Sequence, residues 1–226
     1  MIKRDRFFYI NRRLAEIKNP IIVELGVDKT ALSTKNFLNY INDNGGKLYS
    51  IDIKDFSHVL KQQNFNNYKI DRWRFLKSND LNLQKIFDMA PEITKGIDLL
   101  YVDSLHDPTH VKNIIEKWFN HVNKMGYIFF DDTESRLYRE QKALFTTIIN
   151  DGINNIVKAF FYKNSNLIEY TKYYCDTGLS EYFKICERNT LPNKISSTWG
   201  YNYYFGKLYL LILRLVYLLK KKDKKK

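Results

Sequence analysis

The stretch DLLYVDSLHDPTHVKNIIEKWFNHVNKMGYIFFDD, residues 98–132, decides the fold. It begins and ends in short apolar runs, DLLYVD (98–103) and YIFFDD (127–132), rich in branched or aromatic side chains and of strand length. Between them Pro108 opens a segment that places Val111, Ile114, Ile115 and Trp118 on one helical face. Proline suits a first helical turn, where its missing N–H has no partner to lose. Strand, helix and strand in this order predict two parallel strands joined by a crossover. Strands this continuously apolar predict a sheet covered on both faces.

The same signal extends upstream. IIVEL (21–25), KLYSIDI (47–53) and WRFLK (73–77) read as further strands. A helix is expected after Thr34, stopped at NDNGG by Gly45 and Gly46. After about residue 155 the alternation ends, and NIVKAFFYK and NLIEYTKYY read as an antiparallel pair. The expected class is α/β, with a mostly parallel central sheet, an antiparallel C-terminal strand pair and helices on both faces.

The chain has 226 residues, enough for one domain with appendages. Its 44% hydrophobic content argues against disorder for most of its length. The formal net charge is +12, which attracts anions, but six of the last seven residues are lysine, so the body is only moderately basic. The two cysteines, Cys175 and Cys186, form no CxxC pair and read as free thiols of a cytoplasmic protein. The first nineteen residues carry charges throughout, unlike a secretory signal, and read as a helical extension. At the other end LYLLILRLVYLL (208–219) is almost wholly apolar and runs into the lysines. As a helix it is too short to cross a bilayer alone. Lys207, Arg214 and Lys221 recur every seven residues, which suits a peripheral membrane anchor on the cytoplasmic face. The alternative is a helix packed on the core or on a second subunit. The organisation expected is thus 1–19, an extension; 20–202, the catalytic domain; and 203–226, the apolar helix with its polybasic tail.

In such sheets ligands bind outside the carboxyl ends of the strands. Here those ends are Glu24, Asp52, Asp103 and the pair Asp131 and Asp132, acids in a basic protein. Gly26, just past the 21–25 run, permits close backbone approach to a ligand. Asp52, one β-α-β unit later, stands where an acid would accept ribose hydroxyls. Ser78, Asn79 and Asp80 follow the third strand. They either reach a base or, in the case of Asp80, cap the next helix. Asp103, Asp131 and Asp132 end neighbouring strands about 5 Å apart. Three acids so close call for a cation, and an all-oxygen set suits Mg²⁺, with Mn²⁺ or Ca²⁺ as alternatives. His106, three residues past Asp103, is the candidate general base. His110 and His121 read as surface or packing residues.

On these residues the chain resembles class I S-adenosylmethionine-dependent methyltransferases over residues 20 to 150. IIVELG, LYSIDI and the stretch 98–132 carry the resemblance. The last is similar to sugar O-methyltransferases of the macrocin and mycinamicin type. The resemblance implies that Asp103, Asp131 and Asp132 bind a divalent metal and that His106 is the base. It further implies that Glu24 and Gly26 flank the methionine part of the cofactor and that Asp52 holds its ribose. Ser78 and Asn79 would lie at the adenine and Asp103 beside the cofactor. Two departures stand out: Thr30 occupies a position where relatives have glycine, and Ser78-Asn79-Asp80 matches the family's G-D-S pattern loosely.

The expected function is metal-dependent O-methylation of a sugar or glycan hydroxyl. Methylation of a phenolic natural product is the second enzyme reading. A catalytically inactive, membrane-associated binding module is the non-enzyme reading. Nucleic acid is not expected as partner, since the basic excess is partly the tail and no N-P-P-Y-type motif occurs. A homo-oligomer is left open. The segment from about 165 to 205 is expected to shape the acceptor pocket.

Overall fold

The computed structural model describes residues 5–56, 70–140, 143–175 and 177–195, together with Leu208, Leu211 and Ile212. Seven strands form one sheet: β1 Ile21–Leu25, β2 Lys47–Asp52, β3 Trp73–Lys77, β4 Ile97–Val102, β5 Val122–Asp131, β6 Ile168–Tyr173 and β7 Leu179–Lys184. Their order is β3-β2-β1-β4-β5-β7-β6. The first five are parallel, and β7 runs antiparallel to both β5 and β6. The helices are α1 Arg6–Leu14, α2 Leu32–Asn44, α3 Leu83–Met89, α4 Pro108–Trp118, α5 Arg136–Glu140 and α6 Leu144–Lys163. This is the expected α/β architecture, a mostly parallel sheet with an antiparallel C-terminal strand pair and helices packed on it.

Strand alternation divides the core in two. Val23, Leu25, Leu100, Val102, Ile128 and Phe130 face one apolar layer, completed by α3, α4 and α6. Ile22, Leu48, Leu99, Tyr101, Tyr127 and Phe129 face the other, which α1 and α2 cover through Ile10, Leu14, Phe37 and Leu38. The α1 helix is seated from its first turn, where the Asp5 carboxylate accepts the N–H of Phe8.

The structure corrects the C-terminal reading. NIVKAFFYK lies in α6, and the partner of β6 is β7. The branched and aromatic composition of that segment suggested a strand. Ile153, Ile156, Val157 and Phe160 nevertheless recur at helical spacing, and all four are buried. The α2 helix begins two residues before Thr34, behind a left-handed Ala31. The Pro108 helix ends at Trp118, with a 3₁₀ turn over Phe119–His121. Cys175 and Cys186 form no disulfide. The expected membrane anchor at 203–226 lies outside the described residues, apart from Leu208, Leu211 and Ile212, which are helical and exposed. No helix among the described residues is long and apolar enough to cross a membrane.

Candidate active site

The strand order reverses direction between β1 and β4, and a crevice opens at that point. A cavity of about 760 Å³ sits there, lined from β1 by Gly26 and Val27, from β2 by Asp52 and Ile53, and from β4 by Asp103, Ser104 and His106. Its size lies within the range of small-ligand sites, and polar and charged side chains line it alongside Val27, Ile51, Ile53, Phe56 and Leu105. Gly26 is irreplaceable by geometry. Its φ is +92°, and an added Cβ would stand 2.0 Å from the backbone oxygen of Asp103. That contact draws the β1 and β4 loops together at the cavity floor.

Asp52 is held ready for a ligand by backbone donors. Its Oδ2 accepts the N–H of Val27 at 2.9 Å and its Oδ1 that of Lys54 at 2.7 Å. The loop after Gly26 dispenses with further glycine because Asp28 Oδ1 accepts the N–H groups of Thr30 and Ala31 and the Thr30 hydroxyl. Thr30 thereby faces the turn, and Asp28 and Lys29 line the cavity. Ser78, Asn79 and Asp80 form the far wall. Asn82, not Asp80, caps α3. Asp80 Oδ2 meets His110 Nε2 at 2.9 Å, while its carbonyl accepts the Trp118 indole N–H. His110, read from sequence as surface or packing, lines the cavity. The signal that could have found it is Asp107-Pro108, which caps α4 and puts His110 in the first turn at the carboxyl end of the sheet.

Glu24 is placed differently. It is fully buried beneath the cavity, outside its lining. Its Oε2 accepts the hydroxyls of Thr34 and Ser50 at 2.8 and 2.6 Å. Its Oε1 has no partner within hydrogen-bond geometry, although the Ser33 hydroxyl lies close enough to favour the ionised form. Burial dominates and pushes this carboxyl up to about 7.

The acids of β4 and β5 do not gather round one point. Asp131 ends β5 on the same face as Tyr127 and Phe129, towards α1. There it accepts the Tyr101 hydroxyl at 2.9 Å and pairs with Arg6. Asp132, next in the chain, has a left-handed φ of +54° and turns to the cavity side, where its Oδ2 meets His106 Nδ1 at 2.8 Å. His106 Nε2 reaches Asp103 Oδ1 at 3.2 Å. The imidazole thus spans the two carboxylates. Hydrogen bonds to Asp103 and Asp132 raise it to about 10, so it holds its proton at neutral pH. The described residues contain no group of three His, Cys, Asp or Glu side chains placed to hold a metal. As arranged, Asp103, Asp131 and Asp132 do not fit a three-carboxylate metal centre. The repulsion that called for a cation is relieved by Arg6 and His106.

Comparison with known proteins bears on the family and the fold. Residues 23–133 match the family model described as "Methyltransferase domain". A stretch of 58 residues is 34% identical to uncharacterized protein R132 of Acanthamoeba polyphaga mimivirus, spanning 26% of each chain. A Staphylococcus aureus protein described as a caffeoyl-CoA O-methyltransferase superposes with a TM-score of 0.61 at 14% identity, over 81% of this chain and 85% of that one. The MycE methyltransferase of mycinamycin biosynthesis, in complex with Mg, SAH and mycinamycin VI, superposes with a TM-score of 0.52 at 17% identity. That match covers 78% of this chain and 48% of MycE. At these identities the likeness is one of fold.

Proposed function

We propose that the chain transfers the methyl group of S-adenosylmethionine to a hydroxyl oxygen of a sugar or glycan. The observation that carries this reading is the cavity at the β1/β4 switch point, with Asp52 at one end and the Asp103–His106–Asp132 bridge at the other. The donor set fits the cofactor. Asp52 has lone pairs left for a ribose diol, Ser78 and Asn79 offer polar groups to a base, and the backbone at Gly26 leaves room for the methionine portion. The description of the S. aureus protein as an O-methyltransferase points the same way, and MycE is described as a methyltransferase in complex with SAH.

In the reaction the acceptor oxygen attacks the methyl carbon, the carbon–sulfur bond breaks, and S-adenosylhomocysteine leaves with the electron pair. Positioning supplies much of the rate in such a displacement. The hydroxyl proton passes to His106. For that, the imidazole must first be neutral. An acceptor that displaces one carboxylate from His106 removes part of what holds its proton; the ring releases that proton to solvent and, now neutral, takes the hydroxyl proton as base. Asp131 faces Arg6 and His106 spans the other two acids, so these side chains carry the charge balance of the site.

Calorimetry with S-adenosylhomocysteine tests the reading, with Mg²⁺ and then with chelator. Saturable binding in both conditions is expected, followed by methyl transfer to members of a nucleotide-sugar and glycan panel. Absence of binding in both would overturn it.

A further inference from the structure

We propose that Arg6 is the resident cation of the acid cluster at the ends of β4 and β5. On this view it is a positioning residue that occupies the electrostatic place a divalent ion would otherwise take. The inference concerns the acid cluster alone and does not depend on the cofactor.

β5 ends at Asp131, whose side chain shares the face of Tyr127 and Phe129 that α1 covers, while Asp132, past the strand with a φ of +54°, meets His106. The Asp131 side chain is 2% exposed, so it needs a partner or it must be protonated. Arg6 supplies one, and its Nη2 donates to the Thr177 hydroxyl at 3.3 Å. The Thr177 hydroxyl in turn lies 3.5 Å from Asp131 Oδ1. The guanidinium also lowers the proton affinity of Asp103 and Asp132, so its field reaches all three acids.

The helix is built to hold Arg6 there. Seven residues on, two turns and roughly 10 Å along α1, Arg13 grips the buried carboxylate of Glu181 on β7 through Nε and Nη2 at 3.1 and 2.9 Å. Tyr9 stacks on Tyr173 of β6 with ring centroids 4.2 Å apart. The Tyr127 hydroxyl of β5 donates to Glu16 just past the helix. A divalent ion shared by the three acids would either displace Arg6 from Asp131 or share that carboxylate with it. Either way the guanidinium would stand beside a doubly charged ion, an arrangement disfavoured by like-charge repulsion and by desolvation.

The test is a Mn²⁺ titration of the full chain without cofactor, following loss of the free-ion electron paramagnetic resonance signal. Wild type is expected to show no saturable binding at millimolar Mn²⁺. Arg6→Gln should gain affinity by about tenfold or more, Arg6→Lys should behave like wild type, and Asp131→Asn in the Arg6→Gln background should cancel the gain. A folded Arg6→Gln with no gain overturns the proposal. Should that variant not fold, the wild type decides: tight, saturable Mn²⁺ binding that Asp131→Asn abolishes would equally overturn it.

Discussion

At the β2 end of the sheet, Asp52 is held by the backbone N–H groups of Val27 and Lys54, and its carboxylate borders an open cavity. At the β5 end, Asp131 is held by the side chains of Arg6 and Tyr101 and is closed off from solvent. Both are acids at the carboxyl edge of one parallel sheet. The backbone donors of Asp52 orient it without cancelling its charge. The guanidinium of Asp131 cancels its charge and ties a separate helix to the sheet. An acidic strand end is therefore ambiguous until its counter-charge is known: the first kind keeps its charge beside a cavity, the second uses it to hold the fold.

Gly26, where the two halves meet, gives the largest expected effect. Gly26→Ala puts a methyl group 2.0 Å from the Asp103 carbonyl oxygen at a φ of +92°. Loops β1 and β4 would have to separate, a backbone cost in the exceptional class of roughly 4 kcal/mol or more. Circular dichroism melts should show a severely destabilised protein with no measurable S-adenosylhomocysteine binding. A variant that melts like wild type would mean that the two halves are not joined there.

Next comes Asp131→Ala, which leaves Arg6 without its carboxylate and Tyr101 without its acceptor. Breaking a buried pair by removing one partner costs about 3–5 kcal/mol, and the partly exposed guanidinium puts this one at the lower end. Thermal melts should show that loss, with cofactor affinity nearly unchanged in whatever remains folded. Asp52→Ala should do the reverse, weakening S-adenosylhomocysteine by about 10–100-fold and leaving the melt near wild type. Equal behaviour of the two variants in both measurements would dissolve the distinction.

What the sequence disclosed follows the range of the forces involved. The boundaries 21–25 and 73–77 coincide with β1 and β3 because short apolar runs between turn residues report local structure. Asp52 was legible for the same reason, since the β-α-β spacing fixes its position. The partner of Asp131 was not, because Arg6 lies 125 residues away and no local pattern links them. The helix over NIVKAFFYK was hidden by composition, which outweighed a spacing of buried positions that favours a helix. The Asp80–His110 pair joins the turn after β3 to the first turn of α4 through tertiary contact, which pairwise spacing does not encode.

The smallest effect bears on His106, where the two halves share the cavity. Its folded-state affinity for a proton is raised from 6.5 to about 10 by Asp103 and Asp132. The linkage sign follows: this stabilisation is fully present below pH 6.5 and is lost as pH rises through about 10. The side chain is 45% exposed, so solvent screening keeps the contribution modest. Asp132→Asn replaces the closer carboxylate with an uncharged amide. The His106 ring signals in an NMR titration should then report a proton affinity well below the wild-type value yet still above the ordinary one, because Asp103 remains. The melt of this variant should vary less between neutral and alkaline pH than that of wild type. If methyl transfer is measured alongside, its rising limb should move to lower pH in step with the imidazole. A titration midpoint that Asp132→Asn leaves in place would show that His106 is not held by the acid bridge, and the cavity's second end would have to be redrawn around Asp103 alone.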